Sequence, residues 1–208
     1  MGLYSQQILP HLMDWAMSDA RLTTYRKEVL AEVSGEVLEI GFGTGLNLAY
    51  YPDSVQKITT VDVNPGMNAL AQKRIAQRIA QSAIAVENKV LSGESLPMAD
   101  NSFDYVVSTW TLCSIAQVNN ALSEIYRVLR PGGKFVFVEH GLSDDPKVQG
   151  WQNRLTPLQK IIADGCHFNR NIQALVEQQF EQVTVERFVP DGLPALAATL
   201  YKGSAVKP

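Results

Sequence analysis

Cysteine is scarce in this 208-residue chain, where Cys113 and Cys166 are the two present. Two thiols cannot build a disulfide framework, which excludes the small secreted scaffolds and predicts a reducing, cytoplasmic setting. Excess positive charge is also absent: 18 Lys and Arg face 21 acidic residues, for a net charge of −3. Nucleic-acid binders carry clustered positive charge, so no nucleic-acid partner is expected. No run approaches the roughly 20 apolar residues that span a bilayer. His11, Asp14 and Asp19 interrupt the N-terminal apolar stretch before a signal-peptide core can form. Internal repeats, low-complexity tracts and long linkers are missing too. With 14 glycines and 10 prolines, neither a fibrous nor a disordered composition applies. What remains is a single soluble domain over 1–208, 46% hydrophobic and long enough to close a core without staples.

The first 34 residues read as helical. Ile8, Leu9, Leu12, Met13, Ala16 and Met17 keep a 3/4 spacing, Leu22, Tyr25, Val29 and Leu30 continue it, and Ser34-Gly35 ends it. Short apolar bursts then alternate with helical stretches. The pattern predicts strands at 37–40, 57–63, 86–91, 104–108 and 134–139, with helices from about Leu46 and at 65–80 and 118–129. Such alternation implies right-handed crossovers and a mostly parallel sheet covered on both faces. The end differs. Residues 181–188 and 199–207 are two strand candidates with only a short loop between them, so they pair as an antiparallel hairpin.

In such sheets ligands sit beyond the carboxyl ends of the strands. There the chain reads Leu38-Glu-Ile-Gly41-Phe-Gly43-Thr-Gly45-Leu-Asn47, and its glycines let the backbone approach a ligand without Cβ obstruction. A dinucleotide turn reads G-x-G-x-x-G; here the third glycine comes one residue early, and Leu46 stands in its place. Asp62, at the tip of the second strand, can accept both hydroxyls of a ribose. That role serves NAD and S-adenosylmethionine equally, and the same residue could instead supply negative charge to the helix opening at Pro65.

Three further motifs follow in order at strand ends: Leu91-Ser-Gly-Glu-Ser-Leu-Pro97, Asn101-Ser-Phe-Asp-Tyr-Val-Val107 and Arg127-Val-Leu-Arg-Pro-Gly-Gly133. Together with the first turn and Asp62 they resemble the class I S-adenosylmethionine-dependent methyltransferases, over residues 35–140. The resemblance implies a Rossmann-like α/β fold with a mostly parallel seven-stranded sheet, a C-terminal antiparallel hairpin and an N-terminal helical lid (1–34). It further implies a cofactor-binding half (35–140) and a substrate-side half (141–208). Carried over, Gly41, Gly43 and Gly45 line the methionine part of the cofactor, and Glu39 orients the turn or meets the amino group. Asp62 holds the ribose, Val63, Asn64 and Met67 flank the adenine, and Gly93 and Glu94 meet its edge. Phe42, Asn47 and Thr109 complete the site. Ser92 departs from the family pattern, since many relatives carry Asp there; a neutral hydroxyl makes a weaker hydrogen bond than a carboxylate.

A narrower resemblance runs from about Gly35 to Lys207. Thr111-Leu-Cys-Ser-Ile115, Val138-Glu-His-Gly141, Trp151-Gln, Asp164-Gly-Cys166 and Gly203-Ser-Ala-Val-Lys207 are similar to segments of the animal membrane-associated alkyl-thiol methyltransferases and their soluble bacterial relatives. The animal proteins carry a hydrophobic anchor. Here the leader is amphipathic, which predicts no stable insertion and leaves peripheral membrane contact open.

Methyl transfer from a sulfonium is an in-line displacement, in which alignment supplies much of the acceleration and no covalent enzyme intermediate is needed. A protein group is required only where the acceptor must lose a proton, as a thiol with pKa near 8.5 does. His140 and Asp164 are the candidates for that role. Each has a structural alternative: His140 as a satisfied core histidine, Asp164 as a helix cap or a partner of Arg170. Tyr4, His11 and Trp15 on the leader, with Trp110, Cys113 and Trp151, are candidates for an apolar acceptor pocket or for plain packing. No metal is expected. The reading is a methyltransferase using S-adenosylmethionine, with S-adenosylhomocysteine as product, acting on a small hydrophobic or amphiphilic acceptor, a thiol favoured. A phospholipid or other amine and a quinol-type hydroxyl are the alternatives within that class. A nicotinamide-dependent oxidoreductase and a non-catalytic nucleoside-binding module are the alternatives outside it.

Overall fold

The computed structural model describes residues 2–208. Among them one sheet contains β1 (Gly35–Ile40), β2 (Val55–Asp62), β3 (Ala85–Val90), β4 (Phe103–Thr109), β5 (Leu129–His140), β6 (Gln182–Phe188) and β7 (Leu200–Val206). The order across the sheet is β3-β2-β1-β4-β5-β7-β6. Neighbours from β3 to β5 are parallel, whereas β7 is antiparallel to both β5 and β6. This is the expected seven-stranded α/β architecture with its terminal hairpin. The chain winds outward from β1 to β3 and then returns to lay β4 on the other side of β1. That reversal opens a crevice beyond the carboxyl ends of β1 and β4.

Strand periodicity divides the core between two faces. Along β5, Phe135 and Phe137 enter one cluster while Val136 and Val138 enter the other; alternate side chains of a strand point to opposite faces. The first face is covered by α4 (Val118–Val128), which turns Leu122, Ile125 and Val128 inward, and by α6 (Ile172–Glu177) with Ile172 and Val176. The second is covered by α2 (Ala20–Leu30), through Val29 and Leu30, and α3 (Pro65–Gln81), through Ala71 and Ile75. The remaining helices are α1 (Leu9–Met17) and α5 (Pro146–Ile162).

Local structure departs from expectation in four places. The leader is not one helix: a π-helical turn at Tyr4–Ile8 precedes α1, and the chain breaks at Ser18-Asp19. Asp19 caps α2 by accepting the Arg21 N–H, which satisfies a donor that a continuous helix would bond internally. After the glycine turn the helix expected from Leu46 is a single 3₁₀ stretch, Leu46–Tyr50, because Pro52 drives Tyr51 into extended backbone. β5 begins at Leu129 rather than at 134, so Arg130-Pro-Gly-Gly133 lies within an irregular strand. Finally, α5 was not predicted, although Asp145-Pro146 is a start signal: Asp145 accepts the Lys147 N–H and proline occupies the first turn.

Candidate active site

A cavity of about 450 Å³ fills the crevice, within the range of small-molecule sites. Its floor begins where β1 ends. Gly41 and Gly43 both adopt left-handed backbone, with φ of 70° and 57°. A Cβ on Gly41 would sit 2.0 Å from the Thr111 side chain, so the turn requires glycine on both conformational and steric grounds. Gly43 points its N–H at Asp62 Oδ2 (2.8 Å), and Asn64 points its own at Oδ1 (2.8 Å). Each carboxylate oxygen therefore keeps lone-pair capacity for a further donor. Burial raises the Asp62 carboxyl above the ordinary range, the two N–H bonds pull it back, and the charge on Asp164 raises it again.

Behind the turn, Glu39 is buried and does not line the cavity. It accepts from Asn47 Nδ2 (2.9 Å) and the Tyr51 hydroxyl (2.7 Å), which makes it the group that orients Asn47. Burial pushes its carboxyl up to about 7 against those bonds. Asn47 also donates to Thr109 Oγ1 (3.1 Å), while its Oδ1 is buried without a partner.

Phe42, Val63, Asn64, Met67, Ser92, Gly93, Glu94 and Thr109 join Gly41, Gly43, Asn47 and Asp62 on the lining. Gly45 stands behind it, as the left-handed residue that caps the 3₁₀ stretch. The Ser92 hydroxyl accepts from the Glu94 N–H (3.2 Å), and Glu94 Oε1 accepts from the Gln117 N–H (2.7 Å).

The lid closes over the cavity with a face other than the expected one. Leu9, Met13 and Met17, at i, i+4 and i+8, line it. Trp15 is 81% exposed, His11 is exposed, and Tyr4 faces α5, its hydroxyl donating to the Ile162 carbonyl (3.0 Å). The roll of α1 is set by Asp14, which pairs with Arg74 (2.8 Å) and accepts from Thr44 Oγ1 (2.5 Å). These partners pull the Asp14 carboxyl below its ordinary value, although burial by itself would raise it. Ser5 ties the lid to both walls, donating to Asp164 Oδ2 (2.6 Å) and accepting from Asn64 Nδ2 at its carbonyl (2.8 Å).

Of the two acid–base candidates, Asp164 lines the cavity, on left-handed backbone at φ 45°. His140 does not. It is the last residue of β5, buried, with Nε2 3.1 Å from Cys166 Sγ. Cys113 is buried beside the same sulfur, outside the lining, and Trp151 is 54% exposed on α5 under the guanidinium of Arg154. Trp110 does line the cavity. Its left-handed backbone (φ 51°) is held by a bond from its N–H to the Val138 carbonyl (2.8 Å) and by Arg26 stacked 4.6 Å over its ring.

Arg26 was missed from sequence, as were Met13 and Met17. A cation at the fourth position after Leu22, on a stripe that continues to Val29 and Leu30, was the legible signal. Burial lowers the Arg26 guanidinium to about 10.

The lining suits S-adenosylmethionine. Asp62 has acceptor capacity for a vicinal diol, Asn47 Oδ1 is an acceptor without a donor, and Gly43 leaves open the space a Cβ would fill.

Comparison with known proteins agrees. A methyltransferase-domain family model matches residues 38–137. The chain is 35% identical over 192 residues to thiol S-methyltransferase TMT1B of Rattus norvegicus, across 85% of this chain and 77% of that one. It is 27% identical over 172 residues to a phosphatidylethanolamine N-methyltransferase of Cereibacter sphaeroides, across 81% and 82% of the two. Among solved structures, a Haemonchus contortus phosphoethanolamine N-methyltransferase bound to phosphomonomethylethanolamine and S-adenosylhomocysteine matches with a TM-score of 0.72 at 19% identity. That match spans 96% of this chain and 57% of the other, and it speaks to the fold. No helix among the described residues is long and apolar enough to cross a membrane. The nicotinamide and non-catalytic alternatives are thereby set aside: the chain belongs to the class I S-adenosylmethionine-dependent methyltransferases, in the family of the thiol S-methyltransferases.

Proposed function

We propose that the methyl acceptor is a small apolar or amphiphilic thiol. The observation that carries this reading is the apolar share of the lining, to which Leu9, Met13, Met17, Leu46, Trp110 and Ile115 contribute, with Asp164 on the same cavity. When bound, S-adenosylmethionine supplies a methyl group activated by its sulfonium. Gly43, Asn47 and Asp62 would hold it, and Ser92, Gly93 and Glu94 would meet the adenine. The lid would exclude water and orient the acceptor by apolar contact, which contributes to alignment rather than to bond making.

Asp164 accepts from Ser5 at Oδ2, and in this reading its other oxygen, Oδ1, would accept from the S–H of the acceptor. A phosphate-bearing headgroup fits this lining less well, because Arg26 is its one cation among the described residues and that guanidinium is engaged with Trp110 and the Met17 carbonyl (2.8 Å). The amphiphilic class gains support from the outward face of the lid, where Leu3, Ile8, Leu12 and Trp15 are exposed.

The test is a competition of acceptors. The full chain is incubated with labelled S-adenosylmethionine and a short alkyl thiol, phosphatidylethanolamine liposomes or a quinol, and the products are read by mass spectrometry. A methyl thioether is expected without liposomes. Methylated amine or phenol with no thioether would overturn the thiol reading.

A further inference from the structure

Behind the cavity wall lies a cluster that the methyl-transfer machinery does not use. Cys113 follows β4, His140 ends β5 and Cys166 lies in the loop between α5 and α6. All three side chains are buried, and one donor atom from each lies within 4.8 Å of the others. The Sγ atoms of Cys113 and Cys166 are 3.9 Å apart, and His140 Nε2 is 3.1 Å from Cys166 Sγ. A tetrahedral zinc ion with Zn–S near 2.3 Å and Zn–N near 2.0 Å sets its ligands about 3.8 Å apart for two sulfurs and about 3.5 Å for sulfur and nitrogen. The sulfur pair stands at that separation already, the imidazole is about 0.4 Å nearer Cys166 Sγ than an ion would hold it, and the remaining Cys113–His140 edge lies within 4.8 Å.

We propose that Cys113, His140 and Cys166 bind one transition-metal ion of the Zn²⁺ class. The donor set is thiolate and imidazole, which select zinc-like ions over the oxygen-seeking Mg²⁺ and Ca²⁺. On binding, each thiol gives its proton to solvent, and two thiolates balance the two positive charges of the ion. A water would complete the fourth position, as in other three-ligand zinc sites.

The surroundings hold the ligands in place. The Cys113 carbonyl accepts from the His167 N–H (2.9 Å), and the preceding Leu112 carbonyl accepts from Arg170. The sequence hides the site, because three ligands spread over three elements form no close-spaced pair of the C-x-x-C kind.

The site would pin the cavity wall. Ser114 to Ala116 line the cavity directly after Cys113, and Ala163 and Asp164 line it shortly before Cys166. A metal would join those two segments to the end of β5. The proposal stands apart from the choice of acceptor.

Its test uses the full chain, stripped with chelator, kept reduced and titrated with Co²⁺ as an optical probe for Zn²⁺. One equivalent per chain is expected, with sulfur-to-cobalt charge-transfer absorption and the intense visible bands of a four-coordinate ion. Zn²⁺ should displace the Co²⁺ and raise the melting temperature. C113S and C166S should each weaken the charge-transfer band, and the double variant should abolish it. Calorimetry with S-adenosylhomocysteine on the chelated variants reports whether they are folded, independently of metal. Three results would overturn the site: no stoichiometric thiolate band in the parent chain, an unchanged band in the folded double variant, or a Cys113–Cys166 disulfide formed in place of a complex.

Discussion

Glu39 offers the sharpest quantitative test of the site's electrostatics. Its carboxyl, ordinarily at 4.5, is pushed up to about 7 by burial, against hydrogen bonds from Tyr51 and Asn47. Between those values the folded chain retains a proton that the unfolded chain has released, so the contribution of Glu39 to stability is complete below pH 4.5 and is lost as pH rises through about 7. A displacement of that size corresponds to about 3 kcal/mol. Asp62 and Glu139 are also raised by burial and add to the slope of the parent chain. The comparison that isolates Glu39 is therefore with Glu39→Gln, which keeps the size of the side chain and an acceptor but does not titrate. Urea unfolding followed by tryptophan fluorescence between pH 4.5 and pH 8 gives both curves. The variant should gain about 3 kcal/mol on the parent across that range, nearly all of it by pH 8. Parallel pH profiles, differing by a constant offset, would refute the assignment of a raised carboxyl at this position.

Four other outcomes follow from the geometry. Asp62→Ala removes the acceptor for two hydroxyl donors, each worth about 1.5 kcal/mol or more to a charged group, so S-adenosylhomocysteine should bind about 100-fold more weakly by calorimetry or worse. Gly41→Ala forces a Cβ against Thr111 at positive φ and should cost about 2 kcal/mol or more of stability together with cofactor binding, read by chemical unfolding and titration. Arg74→Ala frees Asp14 and Thr44 from their shared partner, and because that pair is about a third exposed the stability cost should stay near 1 kcal/mol. Limited proteolysis should nevertheless cut within 2–20 faster than in the parent. Asp164→Asn should lower turnover of a thiol acceptor while leaving S-adenosylhomocysteine affinity within about threefold; an unchanged rate across pH would remove Asp164 from the acceptor site.

Much of the fold was readable because it rests on local patterns. Strand alternation in 134–139 and the helical stripe in 118–129 are properties of neighbouring residues, and both segments form the expected element, with β5 starting earlier, at Leu129. The cofactor turn was readable for a related reason: positive φ at Gly41 and Gly43 and a carboxylate at the next strand tip are requirements of backbone geometry, which leave a residue-by-residue trace. The lid was not readable in the same way. Helical spacing groups His11 with Trp15 as readily as Met13 with Met17, and only the pairing of Asp14 with Arg74, from a helix distant in sequence, turns the methionines inward.

His140 makes the same point from the other direction. A histidine at the end of β5 could project toward the crevice or into the core, and the loop after α5 settles the matter by bringing Cys166 against its ring. The amino-acid sequence by itself determined the alternation of strands and helices and the glycine turn beside a strand-tip carboxylate, because these depend on short-range conformational requirements, and its ordered motifs indicated the cofactor class through their resemblance to a known family. The tertiary structure decided which face of the lid lines the cavity, that Asp164 rather than His140 lines it as well, and that two distant cysteines and a histidine share one buried point. Those are outcomes of packing between segments far apart in the chain, and no local pattern encodes them.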